Sequence, residues 1–187
     1  MKYLGVIFLA LALSHAHAQV PAFSLTNVMD GKTVTLDSYS SSAGVLIIFT
    51  SNTCPYDEYY RARITRLHKE FGDRIPLILV NSNVDPTESN EAMIKKGRQL
   101  ALAVPYLADK DQTLMQSLKA TKSSHCFLLK STGGKFTVFY NGAFDDNAQV
   151  EADVRSSYLR DAITAMLNNQ SIATTEVRPV GCNIKRK

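Results

Sequence analysis

The chain has 187 residues, 20% of them charged, with a formal net charge of +4, which suits one domain with a sizeable core. Its basic residues are spread along the sequence apart from Lys185-Arg186-Lys187, so the clustering on one face that a nucleic-acid partner requires is missing and none is expected. Three cysteines, Cys54, Cys126 and Cys182, allow at most one internal disulfide and leave one thiol over.

In chain order, Lys2, an apolar run from Tyr3 to Leu13 and the small-residue site Ala16-His17-Ala18 read as an export signal over residues 1–18, cut near Ala18/Gln19. The run falls short of the roughly 20 residues a spanning helix needs. No membrane anchor is expected, and the mature protein is expected in the periplasm or outside the cell, where disulfides persist. Residues 19–187 then form a single domain ending in a tail, 171–187, that has no clear periodicity.

Val45-Leu46-Ile47-Ile48-Phe49-Thr50 is a continuous apolar, β-branched run of strand length, the pattern of a central strand buried on both faces. It ends at Ser51-Asn52-Thr53-Cys54-Pro55, where Pro55 fits the first position of a helix because its missing N–H is not needed there. Tyr56, Tyr59, Tyr60, Ile64, Leu67 and Phe71 recur at helical spacing, and Gly72-Asp73 close that helix. Ile75-Pro76 leads into a second buried strand, Leu77-Ile78-Leu79-Val80, which ends at Asn81-Ser82-Asn83 and completes a βαβ unit. A second helix is expected from Glu88 through Ala103, a short extended piece at Pro105-Tyr106-Leu107, and a third helix from Gln112 to Lys119. Cys126-Phe127-Leu128-Leu129 and Phe136-Thr137-Val138-Phe139-Tyr140 flank the turn residues Ser131-Thr132-Gly133-Gly134 and read as a β-hairpin. A last helix, from about Arg155 to Leu167, presents Leu159, Ile163, Met166 and Leu167 on one face.

The chemistry is expected at Cys54. A thiolate is the reactive form of cysteine, and unpaired N–H groups at a helix start stabilise it. Asp57 and Glu58 in the first turn add opposing negative charge, so the direction of the thiol's pKa is left open. A buried or bridged cysteine that merely ends the element is the plainer alternative. Cys126 sits within an apolar strand beside His125, where a free cysteine usually behaves as a small hydrophobe. Cys54, His125 and Cys126 are ligand types that hold zinc, but a fourth is missing, and neither a metal nor a cofactor is expected.

The segments Phe49-Thr50-Ser51-Asn52-Thr53-Cys54-Pro55-Tyr56, Val80-Asn81-Ser82-Asn83, Gly142-Ala143-Phe144-Asp145-Asp146-Asn147 and Pro179-Val180-Gly181-Cys182-Asn183-Ile184-Lys185 together resemble the redoxin, or thiol-specific antioxidant, branch of the thioredoxin superfamily. The terminal Val-Gly-Cys-x-Ile-Lys element is distinctive of a bacterial subgroup. The resemblance implies an α/β, thioredoxin-like fold: a central mixed sheet flanked by helices, residues 22–43 as an N-terminal extension, and a helix plus strand inserted between the halves. It also implies thiol-based redox chemistry with a thiol or disulfide protein, or a small peroxide, as partner.

Two departures stand out. Disulfide-exchanging members carry C-x-x-C at this junction, and the first of those cysteines is here Ser51. They also place a cis-proline before the hairpin strand, where Ser123-Ser124-His125-Cys126 stands; Ser124 takes the position, and the 123–124 bond is expected to be trans because a non-proline cis bond costs about 3 kcal/mol. With no neighbouring thiol, an oxidised Cys54 needs a second cysteine to resolve it. Cys182, on the mobile-looking tail and inside the terminal element of the resemblance, is the expected partner, with Ser51 and Thr53 hydrogen-bonding the sulfur. Two alternatives stay open. Ser51, Cys54 and Pro55 match the spacing of a peroxiredoxin, whose steadying arginine has only Arg155 or Arg178 as counterparts. A permanent Cys54–Cys182 staple in a non-catalytic binding module is the other.

Overall fold

A computed structural model describes residues 19–100 and 102–187; the candidate export signal, 1–18, lies outside the described residues. These residues form β1 (Ser24–Asn27), β2 (Thr33–Thr35), β3 (Gly44–Phe49), α1 (Pro55–Phe71), β4 (Leu77–Asn81), α2 (Asn90–Leu100), β5 (Tyr106–Ala108), α3 (Thr113–Leu118), β6 (Cys126–Thr132), β7 (Lys135–Gly142) and α4 (Tyr158–Leu167). The strands make one mixed sheet in the order β2-β1-β5-β4-β3-β6-β7. β3 pairs in parallel with β4 and β4 with β5, whereas β6 runs antiparallel to β3 and to β7. This is the thioredoxin-like architecture that the sequence implies, with the β1–β2 hairpin as the N-terminal extension and α2 with β5 as the insertion.

β3 lies inside the sheet, between β4 and β6, and every one of its residues is apolar or glycine and buried. The two-residue period of a strand then sends its residues to opposite faces. Leu46 and Ile48 join a cluster with Tyr60, Ile64 and Leu67 of α1 and Leu159 and Ile163 of α4. Val45, Ile47 and Phe49 join a second cluster with Leu114 and Leu118 of α3 and, from the tail, Ile184. The β6–β7 hairpin turns through Gly133 and Gly134, whose φ values of 59° and 78° are those of the primed turns that glycine favours.

Two element boundaries differ from the sequence expectation. The helix expected from Glu88 begins at Asn90 and ends at Leu100; Pro86–Glu88 instead forms a single 3-10 turn that buries Glu88. The last helix starts at Tyr158, not Arg155, because Glu151–Asp153 take a separate turn and the Arg155 N–H bonds the Asp146 carboxylate.

Candidate functional site: the start of helix α1 and the tail

Cys54 is the residue that caps α1, with Pro55 in the first helical position, so a 17-residue helix directs its N-terminal dipole at this cysteine. The loop before it is fixed by a residue that the sequence reading had placed in a helix. Glu88, 2% exposed, accepts hydrogen bonds from Ser51 Oγ (2.6 Å), Thr53 Oγ1 (3.0 Å), the Asn52 N–H (2.8 Å) and Asn81 Nδ2 (2.7 Å). Burial alone would raise the Glu88 carboxyl, but the bonds from Asn52, Ser51, Asn81 and Thr53 outweigh it and hold the group below its ordinary range. The hydroxyls of Ser51 and Thr53, expected on the sulfur, are therefore turned to Glu88. Glu88 offers little signal in sequence, since it falls within a helix-compatible run and its four donors come from two other segments.

Asp57 is the second buried carboxyl. It accepts from the Ser51 N–H (2.9 Å) and lies 3.1 Å from Ser124 Oγ. Burial, partly offset by those two bonds, raises its pKa to about 7. Near pH 7 Asp57 is therefore partly protonated, which lessens the negative charge expected to oppose a Cys54 thiolate. Glu58, the other first-turn acid, is exposed and pairs with Arg61 and Lys96.

Cys54 is joined to Cys182 by a disulfide spanning 128 positions of sequence, with Cα atoms 5.9 Å apart. Cys54 is buried and Cys182 half-buried. The Cys182 N–H faces Cys54 Sγ at 3.3 Å and Ser123 Oγ at 3.2 Å. The Ser123 N–H donates to Cys182 O at 2.8 Å and the Ile184 N–H to Thr121 O at 3.0 Å, so residues 182–184 pair as an antiparallel strand fragment with 121–123. Gln112, buried at the left-handed residue before α3, holds the end of the tail: its Nε2 donates to Lys185 O and its Oε1 accepts from the Lys187 N–H. The irregular tail of the sequence reading is thus a docked segment, and its anchor Gln112 was missed because its bonds go to backbone atoms.

The 123–124 bond is trans, as no described peptide is cis, and Ser124 has φ +62°. Its N–H donates to Phe49 O at 2.6 Å, which fixes the 121–124 loop against the end of β3. Cys126 is the free cysteine and is fully buried; its thiol donates to Ser124 O, and burial pushes its pKa upward. His125 stacks on Phe127 with ring centroids 4.2 Å apart, and burial lowers its pKa to about 4, so the ring is neutral near pH 7. Neither side chain bonds the disulfide sulfurs. No cluster of three potential metal ligands is present among the described residues. Arg155 and Arg178 are both exposed, and neither guanidinium forms a hydrogen bond or ion pair among the described residues.

Comparisons with known proteins agree with this geometry. Comparison with curated protein sequences finds no match. Among solved structures, a hypothetical protein of Sinorhizobium meliloti shares 27% identity and a TM-score of 0.81, over 91% of this chain and 94% of its own. An uncharacterized conserved protein of Geobacillus kaustophilus shares 27% identity and a TM-score of 0.82, over 91% and 92%. A Chlorobium tepidum protein described as a thiol:disulfide interchange protein of the DsbE type shares the fold at 16% identity and a TM-score of 0.63, over 81% and 96%. The AhpC/TSA family profile matches residues 16–141, well over half of the chain, and with the cysteine-capped helix in its thioredoxin-like setting the protein belongs to the AhpC/TSA family.

Proposed function

We propose that the protein is an exported thiol-disulfide oxidoreductase in which Cys54 is the exchanging thiol and Cys182 resolves it. One observation carries this reading: the cysteine that caps a long helix is bonded to a cysteine on a terminal segment held mainly by backbone hydrogen bonds. The helix start stabilises Cys54 as a leaving or attacking thiolate, and a segment that is largely exposed around one buried residue is able to leave and return once the bond is broken. In the exchange, Cys54 thiolate attacks a partner disulfide, forming a mixed disulfide and releasing one partner thiolate. Cys182 thiolate then displaces the second, so the partner is reduced by two electrons while Cys54–Cys182 is formed. Lys2, the apolar Tyr3–Leu13 run and the Ala16-His17-Ala18 site support export; Ser51 and Thr53 line the cleft beside Cys182, Pro55 opens the helix, and Ser124, His125 and Cys126 support the site from the loop that pairs with the tail. A peroxidase would need a cation held beside the sulfur, and Arg155 and Arg178 are exposed with no hydrogen bond or ion pair among the described residues to hold them there.

The test is to reduce the full mature chain, add oxidised glutathione or hydrogen peroxide in separate arms, and map thiols by alkylation and mass spectrometry, with Cys54→Ser and Cys182→Ser as controls. The expected result is fast exchange with the disulfide, slow reaction with peroxide, and a Cys54–glutathione adduct that accumulates only in Cys182→Ser. A bridge that resists reduction in the folded chain overturns the reading in favour of a structural staple, and fast sulfenate formation overturns it in favour of a peroxidase.

A further inference from the structure

The seat of residues 181–184 has the properties of a strand-docking site. With the tail in place, the Ser123 N–H and Thr121 O are paired to Cys182 and Ile184, and Ile184 is 6% exposed within the core cluster that includes Leu114, Leu118 and Ala120. Gly181 packs so closely that a Cβ there would overlap Ser123 O. Each of these features is left open once the Cys54–Cys182 bond is broken and the tail leaves: one backbone donor, one backbone acceptor, an apolar socket, and a wall that admits no side chain just before the cysteine. Exposed strand-like backbone of this kind binds extended peptide by main-chain hydrogen bonds, with alternate side-chain pockets giving selectivity.

We propose that this seat receives an extended polypeptide segment of the pattern glycine, cysteine, any residue, aliphatic residue, and that the tail is an internal copy of that partner. The proposal rests on the reading of Cys54 as an exchanging thiol and adds the substrate class: a protein or peptide disulfide, presented as a strand, in preference to a small-molecule disulfide. Partner and tail occupy the seat in turn. Cys54 thiolate attacks the partner's cysteine sulfur while the tail is away, the partner's other sulfur leaves as thiolate, and the returning Cys182 thiolate displaces the docked segment as a thiol product. Asp85 and Asp111, which pair with Lys185 and Lys187, favour a basic residue after the aliphatic one by a small margin, since both pairs are exposed.

The test uses the full mature chain carrying Cys182→Ser, reduced, so that Cys54 adducts accumulate. The probes are synthetic peptides copying residues 178–187, their cysteine activated as a disulfide with thionitrobenzoate, whose release is followed by absorbance. Comparators replace the glycine by alanine, replace the isoleucine by aspartate, or N-methylate the isoleucine to remove the N–H that Thr121 O accepts; activated glutathione is the small-molecule control. The parent peptide is expected to react at least about 5-fold faster than every comparator, the factor expected from one lost hydrogen bond. A smaller ratio for any comparator overturns the proposal, even though Cys54 still exchanges. No reaction of Cys54 with any probe overturns the exchange reading itself, and the proposal with it. The same ordering of thionitrobenzoate release in a second reduced variant, Cys182→Ala, removes any dependence on the folding of one variant.

Discussion

The two segments that meet at the disulfide are held by opposite means. The Ser51–Thr53 loop is clamped by side chains: Glu88 takes three bonds from it and Asp57 a fourth, none involving sulfur. The 181–187 tail is held by its backbone, by the buried Ile184 and by one covalent bond. Charge-assisted side-chain bonds of this kind do not depend on the disulfide, whereas backbone bonds of a segment that is largely exposed around Ile184 open more easily. The comparison teaches that the two cysteines of the bridge are anchored differently, so that in the proposed exchange Cys54 stays in place and Cys182 is the one to move. Reduction should therefore act on one side only. Closing a loop of 128 positions is worth about 5 kcal/mol in the chain-entropy account, and that much stability should be lost on reduction or in Cys182→Ser, measured by denaturant unfolding. Hydrogen exchange should rise at the Ser123 and Ile184 amides and stay unchanged at Ser51 and Asn52. Equal rises on both sides would break the comparison.

The loop side carries its own pH signature. Folded Asp57 titrates at about 7 against about 4 when unfolded, so between those values the native chain keeps a proton that the unfolded chain has lost. Stability from Asp57 is present below about pH 4 and declines as pH rises toward 7, by up to about 4 kcal/mol. His125 does the reverse: folded at about 4 and unfolded at about 6.5, it contributes stability above pH 6.5 that is lost as pH falls toward 4. The two trends oppose each other over most of the acid range. Asp57→Asn, which imitates the protonated acid toward Ser124, should remove one of them and leave a chain that weakens on acidification. The difference between the wild-type and Asp57→Asn stability curves, followed from pH 4 to 8, isolates the Asp57 contribution; a flat difference would mean that Asp57 is not protonated in the fold.

How much of this was legible in the sequence follows from the range of each interaction. β3, α1, β4 and the β6–β7 hairpin announce themselves through local periodicity and turn chemistry, and the Cys54-Pro55 step marks the helix start within one residue. Cys182 was reachable through the terminal element that carries part of the family resemblance. Glu88 and Gln112 were not, because all but one of the partners of their side chains lie about 30 to 75 positions away, and a glutamate in a run with helical character looks solvent-facing until its donors are placed. Asp57 was seen only as charge: its proton depends on burial beneath Ser51 and Ser124, which periodicity does not reveal.

Glu88→Gln sharpens the loop side further. The amide turns one acceptor into a donor that faces the Asn52 N–H or the Ser51 and Thr53 hydroxyls, at a cost of about 2 kcal/mol. Because the clamp is independent of the disulfide, the loss should be the same in oxidised and reduced protein, and exchange at the Asn52 amide should rise in both.

Gly181→Ala is the smallest change and tests the tail side alone. The new Cβ would overlap Ser123 O, so the tail must move away from residues 121–123 and weaken the bonds that the Cys182 N–H and O make there. That strain exists only while the tail is docked. Reduced protein should match wild type within about 0.5 kcal/mol, the usual range for an exposed substitution, while the oxidised form loses about 1 kcal/mol, one hydrogen bond's worth. In a glutathione redox titration the difference appears as a shift of about 5-fold toward the reduced dithiol. An equal loss in both redox states would place the tail in its seat without the disulfide, and the contrast between a fixed cysteine and a mobile one would fall.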